Sequence, residues 1–172
     1  MRAQRLAVVA LLGLTGCAPS LNFTLPDLDG NEVTPLSDGN VVVLAFWATW
    51  CGPCQRELAE MNEMYLRLHP RGLELYAISV DGPDTLDNVE TWVQSNHYAF
   101  PVLIESGSGL FAWFSPTASI PYLVVFNAEG ERIETRRGYS PSGVAELEAF
   151  LETQLEPAEP RSESTRRPDG QK

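Results

Sequence analysis

The apolar positions of this chain fall into blocks whose spacing announces different elements. Val41–Phe46 is an uninterrupted apolar, mostly β-branched run, the pattern of a strand buried on both faces. Leu73–Val80 reads as a second buried strand. Between them, Leu58, Met61, Tyr65 and Leu68 recur at three- and four-residue steps, which predicts a helix from about Cys51 to His69. Leu86, Val89 and Val93 mark the inner face of a second helix running to Asn96, with Asp84 as its cap and Asp87 at the capping-box position. Pro101–Ile104 reads as a brief strand and Gly109–Phe114 as a short helix. Tyr122–Phe126 and Ile133–Arg137 flank Asn127-Ala128-Glu129-Gly130, a hairpin turn. Ser140-Pro141 has the chemistry of a helix start, followed by the stripe Val144, Leu147, Phe150 and Leu151. Ahead of all this, Asp29-Gly30-Asn31 punctuates two short extended pieces and predicts an N-terminal hairpin. Strands alternating with helices, then a hairpin and a last helix, make an α/β fold with a mixed sheet flanked by helices on both faces.

The two ends do not fit this pattern. Met1–Arg5 carries two arginines, Leu6–Leu14 is apolar or small, and Leu14-Thr15-Gly16-Cys17 follows. A basic start and an apolar stretch too short to span a bilayer are the marks of an export signal. The tetrapeptide resembles a bacterial lipobox, which implies removal of residues 1–16, acylation of Cys17 and a lipidated tether over 17–21. More than one acyl chain gives a stable anchor, so the bilayer is an expected partner. From Glu156 the chain is rich in Pro, Ser, Arg and Glu without apolar period, which predicts a disordered tail over 156–172. One folded domain over 22–155 remains. The composition of the whole chain is globular, at 44% hydrophobic and 20% charged.

Charge narrows the partners. The net charge of the 172 residues is −11, and loss of Arg2 and Arg5 with the leader makes it −13. An acidic surface repels phosphate backbones, so nucleic acid is not an expected partner. The cysteine count narrows the chemistry. There are three, and if Cys17 is acylated, Cys51 and Cys54 are left as one pair. A bridge closing so small a ring adds little stability, because the entropy gained scales with ring length. A zinc site needs two more ligands, and His69 and His97 are the only histidines and lack paired spacing. The residues therefore favour a redox couple, with no metal and no bound cofactor. Cys51 opens the helix, where unpaired amides and the helix dipole favour a thiolate, and Cys54 lies one turn in. Cys51 is the expected nucleophile and Cys54 the resolving thiol, with Trp50, Gly52 and Pro53 shaping the contact with substrate.

Leu25-Pro26-Asp27-Leu28-Asp29-Gly30, then Val41 through Trp47-Ala48-Thr49-Trp50-Cys51-Gly52-Pro53-Cys54-Gln55-Arg56-Glu57, resembles the TlpA/ResA-type thioredoxin-like proteins. The likeness continues through Ile120-Pro121 and Phe126–Gly130 to the last helix, about residues 22 to 154. It implies a thioredoxin fold with an N-terminal β-hairpin and a central βα insertion. It also implies an extracytoplasmic protein disulfide oxidoreductase whose clients are proteins with cysteines or disulfides, apocytochrome c among them, and whose electrons come from a membrane donor. Glu57 matches the family's partly buried acid, which implies a proton relay for Cys54. Pro121 matches the cis-proline, which implies that the Ile120 backbone pairs with an extended substrate segment.

Three positions depart from the family pattern. Ala45 stands where cytoplasmic thioredoxins carry a buried Asp, Ala59 replaces a proline, and Tyr122 replaces the usual Thr after the cis-proline. Trp47 and Phe46 are candidates, with Trp50, for the frame of the site. Two other activities are compatible with the fold. A thiol peroxidase usually has Thr or Ser three residues before its reactive cysteine, and here that residue is Ala48. A copper chaperone of this fold resembles Cys-x-x-x-Cys with a distant histidine, one residue longer than the spacing here.

Overall fold

The computed structural model describes residues 21–37, 39–105 and 107–155. The leader, Cys17 and the tail from Glu156 lie outside the described residues. The chain runs β1 (Leu25–Pro26), β2 (Glu32–Val33), β3 (Val41–Trp47), α1 (Gly52–Leu68), β4 (Leu73–Ser79), α2 (Asp87–Asn96), β5 (Val102–Ile104), α3 (Leu110–Phe114), β6 (Tyr122–Phe126), β7 (Arg132–Arg137) and α4 (Gly143–Leu155). The first two strands form the expected hairpin, with Gly30 at φ 82° in its turn, a conformation that costs glycine nothing. The other five make one mixed sheet in the order β5-β4-β3-β6-β7, parallel across β5-β4-β3 and antiparallel across β3-β6-β7. β5 and α3 intervene between β4 and β6, as the expected βα insertion requires.

Central β3 is buried along its whole length, and its alternation sorts the core. Val41, Val43, Ala45 and Trp47 face the cluster made with α1, α2 and α4. Val42, Leu44 and Phe46 face a second cluster, built from the hairpin, α3 and Tyr122. The apolar stripe of α1 is buried as its spacing requires, with Met64 added to it. Both sheet edges differ from the interior. β7 alternates half-buried with exposed positions and carries Arg132, Glu134, Arg136 and Arg137. β5 has three residues, and Asp27 of the hairpin bridges to Leu103.

Two helix starts differ from expectation. Asp84 does not cap α2. The amides of Thr85 and Leu86 both bond to Gly82 O at 3.0 Å, so a tight turn occupies residues 82–86 and the helix begins at Asp87 with no side-chain cap. Likewise Ser140 and Pro141 lie ahead of α4. The Gly143 amide closes a turn on Ser140 O at 2.9 Å, and Ser142, not Ser140, makes the local side-chain contact, its Oγ donating to Glu146 at 2.6 Å. In both cases a turn closed by backbone bonds displaces the start by two or three residues.

Candidate active site

The carboxyl end of β3 leads through buried Ala48 and half-buried Thr49 to exposed Trp50, and Cys51 then stands at the N-cap of α1 with extended backbone angles (φ −94°, ψ 91°). Its sulfur accepts the Cys54 amide at 3.3 Å, and its carbonyl accepts the Gln55 amide at 3.1 Å. Orphan amides at a helix start are what stabilise a thiolate there. Cys51 and Cys54 are joined as a disulfide with their Cα atoms 5.3 Å apart. The pair is unequal, since Cys51 keeps 6% of its surface and Cys54 none. Gly52 and Pro53 form the first residues of the helix, where a missing N–H costs nothing.

The register of β6 on β3 pairs Phe46 with Tyr122, which brings the preceding Ile120–Pro121 bond to the same end of the sheet as the disulfide. That bond is cis. Ile120 makes no backbone hydrogen bond among the described residues. The Tyr122 ring does not enter this region. It lies in the opposite cluster against Phe46, its hydroxyl donating to Phe114 O at 2.8 Å. Trp47 and Phe46 are core residues too, Trp47 packed on Trp92 with ring centres 4.5 Å apart, so of the three framing candidates Trp50 alone is exposed, at 64%. Beside Trp50 opens a groove of about 400 Å³ that runs to α2 and is walled by neutral side chains, Thr85, Asn88, Thr91, Trp92 and Ser95 among them.

Glu57 sits one turn beyond Cys54 on α1, a spacing that places both on the buried face. It is 6% exposed, and no hydrogen bond to its carboxylate occurs among the described residues. Loss of hydration, reinforced by the nearby Glu60 charge and partly opposed by Arg136, raises its pKa to about 7. Its carboxyl group borders a cleft of about 410 Å³ lined by Arg136, Tyr139 and Glu146, so a proton accepted there has a route to water. Ala45 is buried and apolar, so that position offers no competing acceptor.

Asp81, which the sequence pattern passes over, is equally buried. It follows β4 directly and accepts from Thr49 N at 2.9 Å, Thr49 Oγ1 at 2.6 Å and Ser79 Oγ at 2.9 Å. Gln55 Nε2 donates to Thr49 O at 2.6 Å, closing the loop from its other side. Thr49 is thus fixed two residues before Cys51. The available signal is a carboxylate at the carboxyl end of a buried strand, the edge on which open α/β sheets place their sites. His69 Nδ1 donates to Leu73 O (3.0 Å) and lies 3.5 Å from Glu74, and His97 ends α2. Neither belongs to this site, and no metal-holding cluster of His, Cys, Asp or Glu occurs among the described residues.

Comparison with known proteins agrees with this geometry. The AhpC/TSA family model matches residues 16–131. The thiol–disulfide oxidoreductase ResA of Bacillus cereus is 32% identical over 133 residues, 76% of this chain and 73% of the relative. ResA of Geobacillus thermodenitrificans is 41% identical over 86 residues, 49% of this chain and 48% of the relative. A crystallised thiol:disulfide interchange protein of the thioredoxin family from Chlorobium tepidum superposes with a TM-score of 0.68 over 80% of this chain and 95% of its own, at 22% identity, and so speaks for the fold. The chain belongs to the AhpC/TSA family and, within it, to the TlpA/ResA-type thiol–disulfide oxidoreductases.

Proposed function

We propose that this thiol–disulfide oxidoreductase works outside the cytoplasm, held to a bacterial membrane through Cys17, as a reductant of client-protein disulfides. Apocytochrome c is the client class that the family suggests. The observation that carries the reading is the inequality of the dithiol, one sulfur at the helix start and one enclosed, with a buried carboxyl group one turn further on.

In the reduced form the Cys51 thiolate attacks one sulfur of the client disulfide. A Cys51–client bond forms, and the client's other sulfur leaves as a thiolate and takes up a proton. Cys54 then gives its proton to the Glu57 carboxylate and attacks Cys51 Sγ. The mixed disulfide breaks, the second client sulfur leaves as a thiolate and is protonated, and the Cys51–Cys54 disulfide remains. Two electrons and two protons pass to the client. The dithiol of a membrane donor restores the couple by the same exchange in reverse, and no other cofactor takes part. The client strand lies along the Ile120 backbone beside Pro121, with Trp50 and the neutral groove toward α2 receiving the residues that flank its cysteine. Asp81 and Thr49 act through the loop they fix and are positioning residues.

The test is Cys54→Ser in cells. Without the resolving thiol, client proteins remain disulfide-linked to Cys51 and are identified after capture, while Cys51→Ser captures none. Adducts that survive in Cys51→Ser and vanish in Cys54→Ser would reverse the two roles. Acid-quenched alkylation of the wild type should find the couple mostly reduced, whereas a mostly oxidised couple would make the protein an oxidant.

A further inference from the structure

Trp113 is 61% exposed, and among the described residues it is the one exposed tryptophan away from the disulfide. It stands on α3 with its ring edge-on to Phe114, centres 4.8 Å apart, and Phe114 in turn meets Phe23 at 6.2 Å. Trp113, Leu110, Leu21 and Phe23 border a groove of about 410 Å³ together with Asn22 and Ser108, and among the described residues no charged side chain lines it. Phe111 and Phe114 pack on Phe46, whose strand ends one residue later and leads to Cys51. The neutral surface therefore lies toward the redox end of the sheet, on the face opposite α1.

Leu21 is part of this surface and stands four residues after Cys17. Four residues reach at most ~14 Å even when fully extended. With Cys17 acylated in the bilayer, this surface cannot leave the neighbourhood of the headgroups. An indole with one apolar and one polar edge prefers that depth, and an uncharged patch enters it without the desolvation cost that the acidic remainder would meet. We propose that the Leu21–Phe23–Trp113 surface rests on the headgroup region of a zwitterionic bilayer and turns the Cys51 end of the sheet toward the membrane. The proposal rests on the lipidation of Cys17. Its functional content is orientation: the dithiol is presented close to the surface from which a membrane donor's thiols would emerge.

The test separates the patch from the anchor. The mature chain, Cys17 to Lys172, is prepared unacylated and oxidised, so that Cys17 is its one free thiol, and is coupled to phosphatidylcholine vesicles bearing a maleimide lipid. Acyl chains brominated near the headgroups quench an indole at that depth. Quenching should appear in the wild type, be largely lost in Trp113→Phe and persist in Trp50→Phe. Trp113→Phe keeps an apolar ring, and its activity toward a soluble disulfide should equal that of the wild type. Coupled protein whose emission is not quenched, or whose quenching survives Trp113→Phe, overturns the proposal, as does Trp113-dependent self-association that buries the patch in a second copy. The anchor is tested independently by Cys17→Ala in cells, which should leave the membrane fraction after a carbonate wash.

Discussion

Two buried carboxylates stand near the same disulfide in opposite electrostatic conditions. Asp81 is surrounded by donors: the Thr49 amide, the Thr49 hydroxyl and the Ser79 hydroxyl all point at it. Glu57 has no donor among the described residues, and burial with Glu60 nearby lifts its pKa to about 7. The chemical group is the same, so the difference comes from what surrounds it. Donors aimed at a carboxylate hold it in place and turn it into a brace. Burial without donors makes the proton nearly as stable on as off at neutral pH, which is what a relay requires.

The contrast breaks most visibly at Glu57, the proposed relay. Glu57→Gln keeps the shape and loses the proton, so exchange with a protein disulfide near pH 7 should slow by ~10²–10⁴-fold, and the rise of rate with pH through about 7 should vanish. Stopped-flow rates against pH for both proteins decide it, and superimposable profiles would remove Glu57 from the mechanism. Asp81→Ala should behave in the opposite sense. It leaves the Thr49 amide and two hydroxyls without their acceptor, at a cost of roughly 3–4 kcal/mol in a denaturant melt. The pH midpoint of its residual exchange should stay where the wild type has it. A displaced midpoint in Asp81→Ala would make the brace a second relay.

Stability sharpens the contrast further. Glu57 holds its proton to about pH 7 in the fold but to about 4.5 when unfolded, so the folded state binds it more tightly. The wild type therefore loses stability as pH rises from about 4.5 through about 7, and Glu57→Gln does not. At pH 8 the oxidised variant should be the more stable by up to about 3 kcal/mol, with the gap closing near pH 4. Equal gaps at both pH values would mean that the carboxylate is hydrated in solution. The smallest expected effect belongs to Glu60, whose charge helps to raise the Glu57 pKa. Glu60→Gln should move the exchange midpoint slightly downward, while its amide oxygen still accepts the Tyr139 hydroxyl, bonded to Glu60 at 2.7 Å.

What could be read in advance divides along similar lines. Val41–Phe46, the Asp29–Asn31 turn and the Cys51–Cys54 spacing are local patterns, and each stands in the structure as read. The starts of α2 and α4 do not follow their side-chain cap patterns because Gly82 and Ser140 close backbone turns, and these compete with side-chain caps that look equally plausible in sequence. Asp81 was missed for a different reason. Its partner Thr49 lies 32 residues away, and nothing in either segment's periodicity connects them. Glu57 and Pro121 were named through family likeness rather than through any pattern, since burial at a single helix position and a peptide isomer leave no periodic trace.

The two edges of the sheet bear on how such a protein would survive crowding if it is tethered to a membrane as proposed. Molecules confined to a surface meet side by side, and an open strand invites its neighbour to extend the sheet into an aggregate. Here β5 offers three residues, with Asp27 already bridged to Leu103, and β7 carries Arg132, Glu134, Arg136 and Arg137 along its length. A second molecule approaching β7 meets a strand crowded with charged side chains that pairing would desolvate, and one approaching β5 finds little free strand to pair with. High local density can then serve electron exchange without seeding a growing sheet.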